Sequence, residues 1–290
     1  MVSLIKERIP WWFKLFTKLM LARLPISYHR WRSIGIFKHG FMLDAEYAQQ
    51  VFLRHYNRAK SYLPPNFVVL EVGPGDSLST SVIAAAYGAT KVFLVDVGGF
   101  ASTRIEAYNQ FCQALARRLP SAASLGSWRT VSEMLDATHT TYLISGLESL
   151  RTIPDCSVDF VFSQAVLEHI TLSEFVETVG ELYRLQKPGG IASHRIDLQD
   201  HLAHGLNSLR FSHSRWESRL FATSGFYTNR LRAGQIVEIF MAAGYHVLDQ
   251  QEDKWPALPL NRAKLHRDYA RFSDDELIIR GLDILVQKQN

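Results

Sequence analysis

Three polar residues at the ends of two apolar segments have side chains suited to acid–base chemistry. His169 follows the apolar segment that ends at Phe162, while Asp197 and His201 follow the segment that begins at Ile191. An unperturbed imidazole titrates near neutral pH, as the removal of a proton from a hydroxyl requires. An aspartate beside a histidine can orient the imidazole and raise its basicity. We therefore predict that His169, His201 and Asp197 are catalytic.

Other interpretations of these side chains remain open. Asp197, Asp200 and His201 could bind Mg²⁺ or another divalent ion, or the carboxylates could cap nearby loops and helices. Because Mg²⁺ prefers oxygen ligands, a histidine adds little to such a site, so base chemistry is favoured and no metal site is predicted. His169 could instead be a structural histidine that hydrogen-bonds to a loop backbone.

A glycine turn between two apolar segments predicts a nucleotide site. The first segment contains Glu71 near its end, and Gly73 and Gly75 follow, which allows a tight turn and close approach of a ligand to the backbone. Asp96 ends the second segment, where a carboxylate can accept hydrogen bonds from both hydroxyls of a ribose. A dinucleotide site would need a third glycine where Leu78 stands. An acidic residue ahead of the turn also suits a cationic ligand better than a pyrophosphate.

The pattern Glu71-x-Gly73-x-Gly75, together with Asp96, resembles the cofactor site of class I S-adenosylmethionine-dependent methyltransferases. The resemblance implies that Glu71 anchors the amino-acid end of the cofactor, that the glycines pass beneath it and that Asp96 holds the ribose. Many relatives carry an aspartate for the adenine amino group after the third strand. This chain has Ser-Gly-Leu-Glu there, so backbone groups are expected to serve instead. The predicted cofactor-binding residues are Glu71, Gly73, Gly75, Asp96, Val97, Leu147 and Gln164.

A second series of residues supports the same resemblance. Residues 153–170 predict a turn and a buried strand followed by Leu-Glu-His, and a Lys-Pro-Gly-Gly turn at 187–190 leads into another apolar strand. Their order and spacing resemble the fourth and fifth strands of these methyltransferases. The resemblance implies an α/β fold over residues 66–290, with a Rossmann-like, seven-stranded, mostly parallel sheet and a terminal antiparallel hairpin strand.

The amino-terminal segment differs in composition from the rest of the chain. The 290 residues have a net charge of +4, but residues 1–40 hold eight Lys or Arg and one Glu, which gives +7 there and leaves −3 on the remainder. We predict a basic, aromatic helical appendage over residues 1–65. No nucleic-acid partner is predicted, because a nucleic-acid enzyme needs its basic surface around the site.

Residues 9–24 predict a helix in which aromatic residues alternate with lysines. The lysines interrupt its apolar region, which argues against a signal peptide and against a membrane span. A helix lying in the membrane surface is one interpretation, and a helical cap packed on the body or on a second subunit is the other. Two cysteines without metal-like spacing indicate a reducing compartment. A cytoplasmic location is expected, with contact to the inner face of the membrane left open by this helix.

A long aromatic and polar segment, residues 200–228, follows the fifth predicted strand and is interpreted as a lid over the methyl acceptor. Its aromatic rings could stack on a sugar or another ring, and its arginines could hold a phosphate. A hydrophobic brace under a loop is the alternative.

The predicted activity is methyl transfer from S-adenosylmethionine, with an oxygen of a small-molecule or lipid-linked acceptor, such as a saccharide or a quinone, as the favoured recipient. A homodimer is compatible with the sequence. A catalytically silent partner protein that binds S-adenosylmethionine is one alternative. An NAD-dependent oxidoreductase is a less favoured one, because of Leu78.

Overall fold

Residues 10–21 and 42–289 are described by a computed structural model, and the predictions for residues 1–9 and 22–41 lie outside these residues. Seven strands form one sheet in the order β3-β2-β1-β4-β5-β7-β6. The strands are β1 Val68–Val72, β2 Lys91–Val95, β3 Thr140–Leu143, β4 Val158–Gln164, β5 Gln186–Asp197, β6 Tyr245–Lys254 and β7 Ile279–Lys288. β1 to β5 pair in parallel, while β7 is antiparallel to both β5 and β6. The predicted fold class is therefore confirmed.

Helices cover both faces of the sheet. They are α1 Trp11–Leu21, α2 Ala45–Ala59, α3 Ser79–Ala86, α4 Ile105–Ala116, α5 Val131–Ala137, α6 Leu147–Thr152, α7 Leu172–Leu185, α8 His213–Trp216, α9 Arg219–Ala222, α10 Ala233–Ala242 and α11 Asp274–Leu277. Val69 of β1 packs into a core beneath α2, α3 and α4, whereas Leu70 packs into a second core beneath α6, α7 and α10. Burial on both faces explains why the central strands are continuous apolar segments.

Asp44 caps the start of helix α2, since its side chain accepts a hydrogen bond from the backbone N–H of Tyr47 at 2.9 Å. Its residue His55 is fully buried and hydrogen-bonds to Ser193 of β5 at 2.9 Å. On the same helix, Arg54 forms a bidentate ion pair with Asp283 of β7. These contacts fix α2 on the sheet, although it lies in the predicted appendage; the domain boundary at residue 65 stays a prediction.

Two local predictions are wrong. The sequence pattern predicts a basic helix over residues 261–272, but the chain forms two short 3₁₀ turns there, Arg262–Lys264 and Arg267–Tyr269. Thr171 and Glu174 have the spacing that predicts a capping box before α7, but the box does not form, because the Thr171 hydroxyl donates to the carboxylate of Glu174 at 3.2 Å instead of accepting from the backbone.

Helix α1 packs on the 200–228 segment. Leu15 is buried against Trp216, Phe221 and Phe226, and the ring of Trp11 meets that of Phe211 edge-to-face with centroids 6.3 Å apart. Within the described ranges, no helix is both long and apolar enough to cross a bilayer.

Candidate active site

The turn after β1 has the backbone geometry that its glycines allow. Gly73 and Gly75 have φ angles of 76° and 67°, a region that side-chain-bearing residues rarely adopt. A Cβ atom on Gly73 would lie 2.4 Å from a methyl group of Val166, so this position is closed by packing. A Cβ atom on Gly75 would meet nothing within 4 Å, so the backbone there is open to a ligand.

Asp96 stands directly after β2 and fixes the edge of this turn. Its carboxylate accepts hydrogen bonds from the backbone N–H of Gly75 at 2.9 Å and of Val97 at 2.7 Å. Val97 is 76% exposed and lies beside Gly146, the residue that precedes Leu147 at the start of α6. The structure thus places four of the predicted cofactor residues, Gly75, Asp96, Val97 and Leu147, along one edge.

Glu71 lies on β1 just before the glycine turn and is 2% exposed. Among the described residues no hydrogen-bond partner reaches its carboxyl oxygen Oε2. Burial is the main cause that raises the pKa of Glu71 to about 8; the Thr80 hydroxyl acts against this shift, and the negative charge of Asp96 adds to it. A buried carboxyl group of this kind needs a cation or a proton. The ammonium group of S-adenosylmethionine is such a cation, so this orphaned oxygen fits the predicted cofactor.

The affinity for the cofactor is expected to depend on the ionisation of Glu71. Below pH 8 the free protein holds this carboxyl group protonated, and binding of an ammonium group must release the proton. The Kd of S-adenosylhomocysteine should therefore fall by up to about tenfold per pH unit between pH 6.5 and pH 8, and level off above that. Isothermal titration calorimetry in buffers of different ionisation enthalpy measures both the Kd and the released proton.

The Glu71→Gln variant is the control, because glutamine keeps the shape but does not titrate. This variant should bind S-adenosylhomocysteine more weakly than the wild type at pH 8, and its Kd should not change with pH. A wild-type Kd that is independent of pH, or an equal slope in the variant, would contradict the assignment to Glu71.

Gln164 ends β4, next to the turn that leads to the predicted catalytic histidine. Its side-chain oxygen is 3.0 Å from Nε2 of His55 on α2, and the other ring nitrogen of His55 meets the Ser193 hydroxyl. Burial lowers the pKa of His55 to about 4, so this imidazole is neutral. Gln164 is thus held by a neutral buried hydrogen-bond chain, and its contact with the cofactor stays a prediction.

The two predicted catalytic histidines lie against each other. The rings of His169 and His201 are stacked with centroids 5.0 Å apart and an angle of 12° between their planes. Nδ1 of His169 is 3.0 Å from the carbonyl oxygen of Tyr227 at the end of the 200–228 segment. Because a carbonyl can only accept, Nδ1 carries the proton, and Nε2 of His169 has the lone pair.

Glu168 lies beside these histidines and is not among the catalytic residues predicted from the sequence. It lies in the 3₁₀ turn Leu167–His169 and is 2% exposed. Burial is the main cause that raises its pKa to about 8; the charge of Asp197 acts in the same direction, while nearby backbone N–H groups and Arg195 act against it. The signal that could have identified it is its place between Leu167 and His169 in the Leu-Glu-His motif.

Asp197 ends β5 close to Glu168, and the two residues line a small cavity together with residues 228–232. Its Oδ2 accepts from Gln199 at 3.2 Å, and its buried Oδ1 has no hydrogen-bond partner among the described residues. Asp200 has a different role. Its carboxylate accepts from the backbone N–H groups of Leu202 and Ala203, both at 2.8 Å. It therefore caps the loop, as the alternative interpretation predicted.

Two buried arginines complete this region from residues 228–232. Arg232 is 1% exposed, and its guanidinium group donates to the carbonyl oxygens of Leu198 and Ile279 at 2.8 Å and 2.5 Å. Arg230 donates to the carbonyl oxygens of Ser208 and Phe211. The sequence shows only that these two residues are basic. The fold shows that they hold backbone segments together.

Comparisons with known proteins agree with this geometry. A family model described as "Methyltransferase domain" matches residues 70–193. No curated protein sequence matches the chain.

Several solved structures are similar to the chain. One is an S-adenosylmethionine-dependent methyltransferase from Mesorhizobium loti, with 13% identity, a TM-score of 0.45 and coverage of 81% of this chain and 97% of that one. Another is the 1,6-didemethyltoxoflavin-N1-methyltransferase of Burkholderia thailandensis, with 12% identity, a TM-score of 0.46 and coverage of 95% and 89%. A third is an arsenic(III) methyltransferase of Chlamydomonas reinhardtii, with 19% identity, a TM-score of 0.44 and coverage of 79% and 66%.

The family match spans the glycine turn, the acidic end of β2 and the Leu-Glu-His turn after β4. The NAD-dependent alternative is thereby excluded, since the matched family transfers methyl groups and Leu78 occupies the position of the third dinucleotide glycine. When bound, the cofactor supplies an electrophilic methyl group on a sulfonium, and this chain supplies the pocket that orients it. Residues 70–193 carry a methyltransferase domain, and the chain is an S-adenosylmethionine-dependent methyltransferase.

Proposed function

We propose that this methyltransferase methylates an oxygen of a lipid-linked acceptor, such as a saccharide or a quinone, at the surface of a membrane. The observation that carries the proposal is the exposed side of α1. Trp12, Phe13, Phe16 and Met20 are 57%, 48%, 60% and 50% exposed, and they follow one another at helical spacing.

Helix α1 is apolar on two sides. Its inner side packs on the 200–228 segment through Trp11, Leu15 and Leu19. A helix that is apolar on opposite sides normally has partners on both. Because residues 1–40 carry a charge of +7, an anionic lipid surface is the partner that matches both the apolar side and the charge.

The acceptor side of the site supports an oxygen as the recipient. His169 and His201 lie at the carboxyl ends of β4 and β5, where ligands of open α/β sheets bind, and the 200–228 segment contacts His169 directly. The acceptor hydroxyl loses its proton beside these imidazoles, which together with Asp197 we propose as the catalytic residues. A bond then forms between the oxygen and the methyl carbon while the carbon–sulfur bond breaks and sulfur takes the electron pair. The products are a methyl ether, S-adenosylhomocysteine and a proton.

Vesicle binding tests the membrane part of the proposal. The protein should sediment with vesicles that contain about 30% phosphatidylglycerol, and the Trp12→Ala/Phe16→Ala variant should bind at least about tenfold more weakly. Met241→Ala is a matched control, because Met241 is an equally exposed apolar residue, 58%, on α10. Equal binding by the double variant would contradict the proposal.

The acceptor is tested with methyl-labelled S-adenosylmethionine and separate membrane and soluble extracts. Label should enter a product that partitions into organic solvent and is stable to mild base, as a methyl ether is. Label only in water-soluble product would contradict a lipid-linked acceptor. Binding of S-adenosylhomocysteine without turnover in either extract would favour the silent partner protein instead.

A further inference from the structure

Three possible metal ligands converge at the end of β4 and β5. One ligand atom each from Glu168, His169 and His201 lies within 4.8 Å of the others. A tetrahedral metal ion bound about 2 Å from each donor atom would need the donor atoms to lie roughly 3.3 Å apart, so they must move closer together when an ion binds. Two imidazoles and one carboxylate are a donor set of the kind that catalytic zinc sites use.

Glu168 is a buried carboxyl group that forms no hydrogen bond with a side chain among the described residues. Both of its oxygens are buried, and neither accepts a hydrogen bond of normal geometry from the residues that the structure describes. Leaving such a group unpaired costs about 1–3 kcal/mol or more. The two arginines that line the same cavity, Arg230 and Arg232, direct their hydrogen bonds to backbone carbonyls instead. Arg195 acts on Glu168 only through its charge, so no cation of the described residues is in direct contact with this carboxyl group.

The hydrogen bonding of His169 also suits a metal ligand. In the neutral imidazole, its Nδ1–H donates to the carbonyl oxygen of Tyr227, which fixes the tautomer in which Nε2 carries the lone pair. Histidines that bind metals usually donate their other ring N–H to a carbonyl or carboxylate in this way. His201 stacks on His169, so both rings are oriented before any ion enters.

We propose that Glu168, His169 and His201 bind a divalent transition-metal ion, of the zinc, cobalt or manganese type. Mg²⁺ is disfavoured, since two of the three donors are nitrogen. Three protein ligands leave a further coordination position open, as in catalytic sites.

The role of the ion rests on the proposed function, although the site itself does not. An acceptor hydroxyl beside a divalent ion loses its proton more readily. In the metal-bound enzyme His169 and His201 are ligands of the ion, and the charge of the ion takes the place of a free imidazole in favouring the deprotonated oxygen.

The test is metal binding by the full chain, with Co²⁺ and Zn²⁺ as the probes. Metal-free protein should bind one Co²⁺ with the visible absorption of a low-symmetry site, and Zn²⁺ should displace it. Glu168→Gln and His201→Ala should each weaken Zn²⁺ binding by roughly 100-fold or more. His204→Asn is the control, because His204 is exposed on the same loop with a φ of 53°, which asparagine tolerates. Calorimetry with S-adenosylhomocysteine shows that each variant is folded.

The outcomes separate this inference from the proposed function. Metal binding that Glu168→Gln does not weaken, or no binding by the wild type, overturns the site. Stoichiometric, Glu168-dependent binding supports it, even if no oxygen acceptor is found. Oxygen methylation at full rate after treatment with a chelator supports the proposed function and overturns the role of the ion.

Discussion

Asp96→Ala is expected to lower the affinity for S-adenosylhomocysteine by at least about 100-fold. The variant removes the predicted acceptor of the ribose hydroxyls, and hydrogen bonds to a charged group contribute about 1.5–3 kcal/mol each. It also leaves the N–H groups of Gly75 and Val97 without the carboxylate that orients them. The turn beneath the cofactor therefore loses its anchor together with the ligand contact.

Calorimetry with S-adenosylhomocysteine measures this loss, and thermal unfolding of the free protein accompanies it. Asp136→Ala is a matched control, since Asp136 is an exposed aspartate at the end of α5. Asp96→Asn should fall between the wild type and Asp96→Ala, because the amide retains one acceptor oxygen. An affinity of Asp96→Ala within threefold of the wild type would refute the ribose assignment.

Trp216→Ala is expected to destabilise the 200–228 segment by about 3–5 kcal/mol. Trp216 is fully buried, and its ring lies within 6 Å of those of Phe211, Phe221 and Phe226. Its indole N–H donates to the carbonyl oxygen of Thr228 at 2.8 Å. The same ring lies 4.9 Å from the guanidinium group of Arg230.

Hydrogen exchange and limited proteolysis should report the loosened segment, and methyl transfer should fall with it. Binding of S-adenosylhomocysteine should change little, since the cofactor edge lies at β1 and β2. Trp216→Phe should cost less, because it keeps most of the packing and loses only the hydrogen bond to Thr228. Trp12→Ala is the exposed control. Unchanged protection in Trp216→Ala would show that this ring does not hold the segment.

The placement of the predicted cofactor residues could be anticipated because the signals are local. Glu71, Gly73, Gly75 and Asp96 lie within a short strand–turn–helix–strand unit, where apolar segments and glycines specify the backbone directly. The structure brings them to one edge as the parallel register of β1 and β2 requires.

The acceptor half could be predicted only in part. His169 and His201 were named from the ends of their strands, but Glu168 is buried by contacts that come from far along the chain. The backbone N–H of Asn229 donates to the carbonyl oxygen of Glu168 at 2.7 Å. The side-chain amide of Asn229 donates to the carbonyl oxygen of Leu167 at 2.8 Å. No pattern near residue 168 reveals a partner 61 positions away.

The wrong helix at residues 261–272 has a similar cause. Leu265, Tyr269 and Phe272 are spaced as on one face of a helix. The side chain of Arg262 donates to the carbonyl oxygens of Ala270 and Phe272, both at 2.9 Å, and these contacts suit a compact loop. Tertiary contacts thus override the helix that the spacing of these apolar residues predicts.

The position of β7 in the sheet affects the order in which parts of the sheet can form during synthesis. β6 pairs only with β7 in the sheet order, so during synthesis β6 emerges with no neighbouring strand to join. Arg232 likewise reaches the carbonyl oxygen of Ile279, the first residue of β7. Residues 68–164, which carry the cofactor edge, can assemble much earlier from local parallel units. A ribosome-bound chain is therefore expected to hold its methyl donor before it has a place for the acceptor.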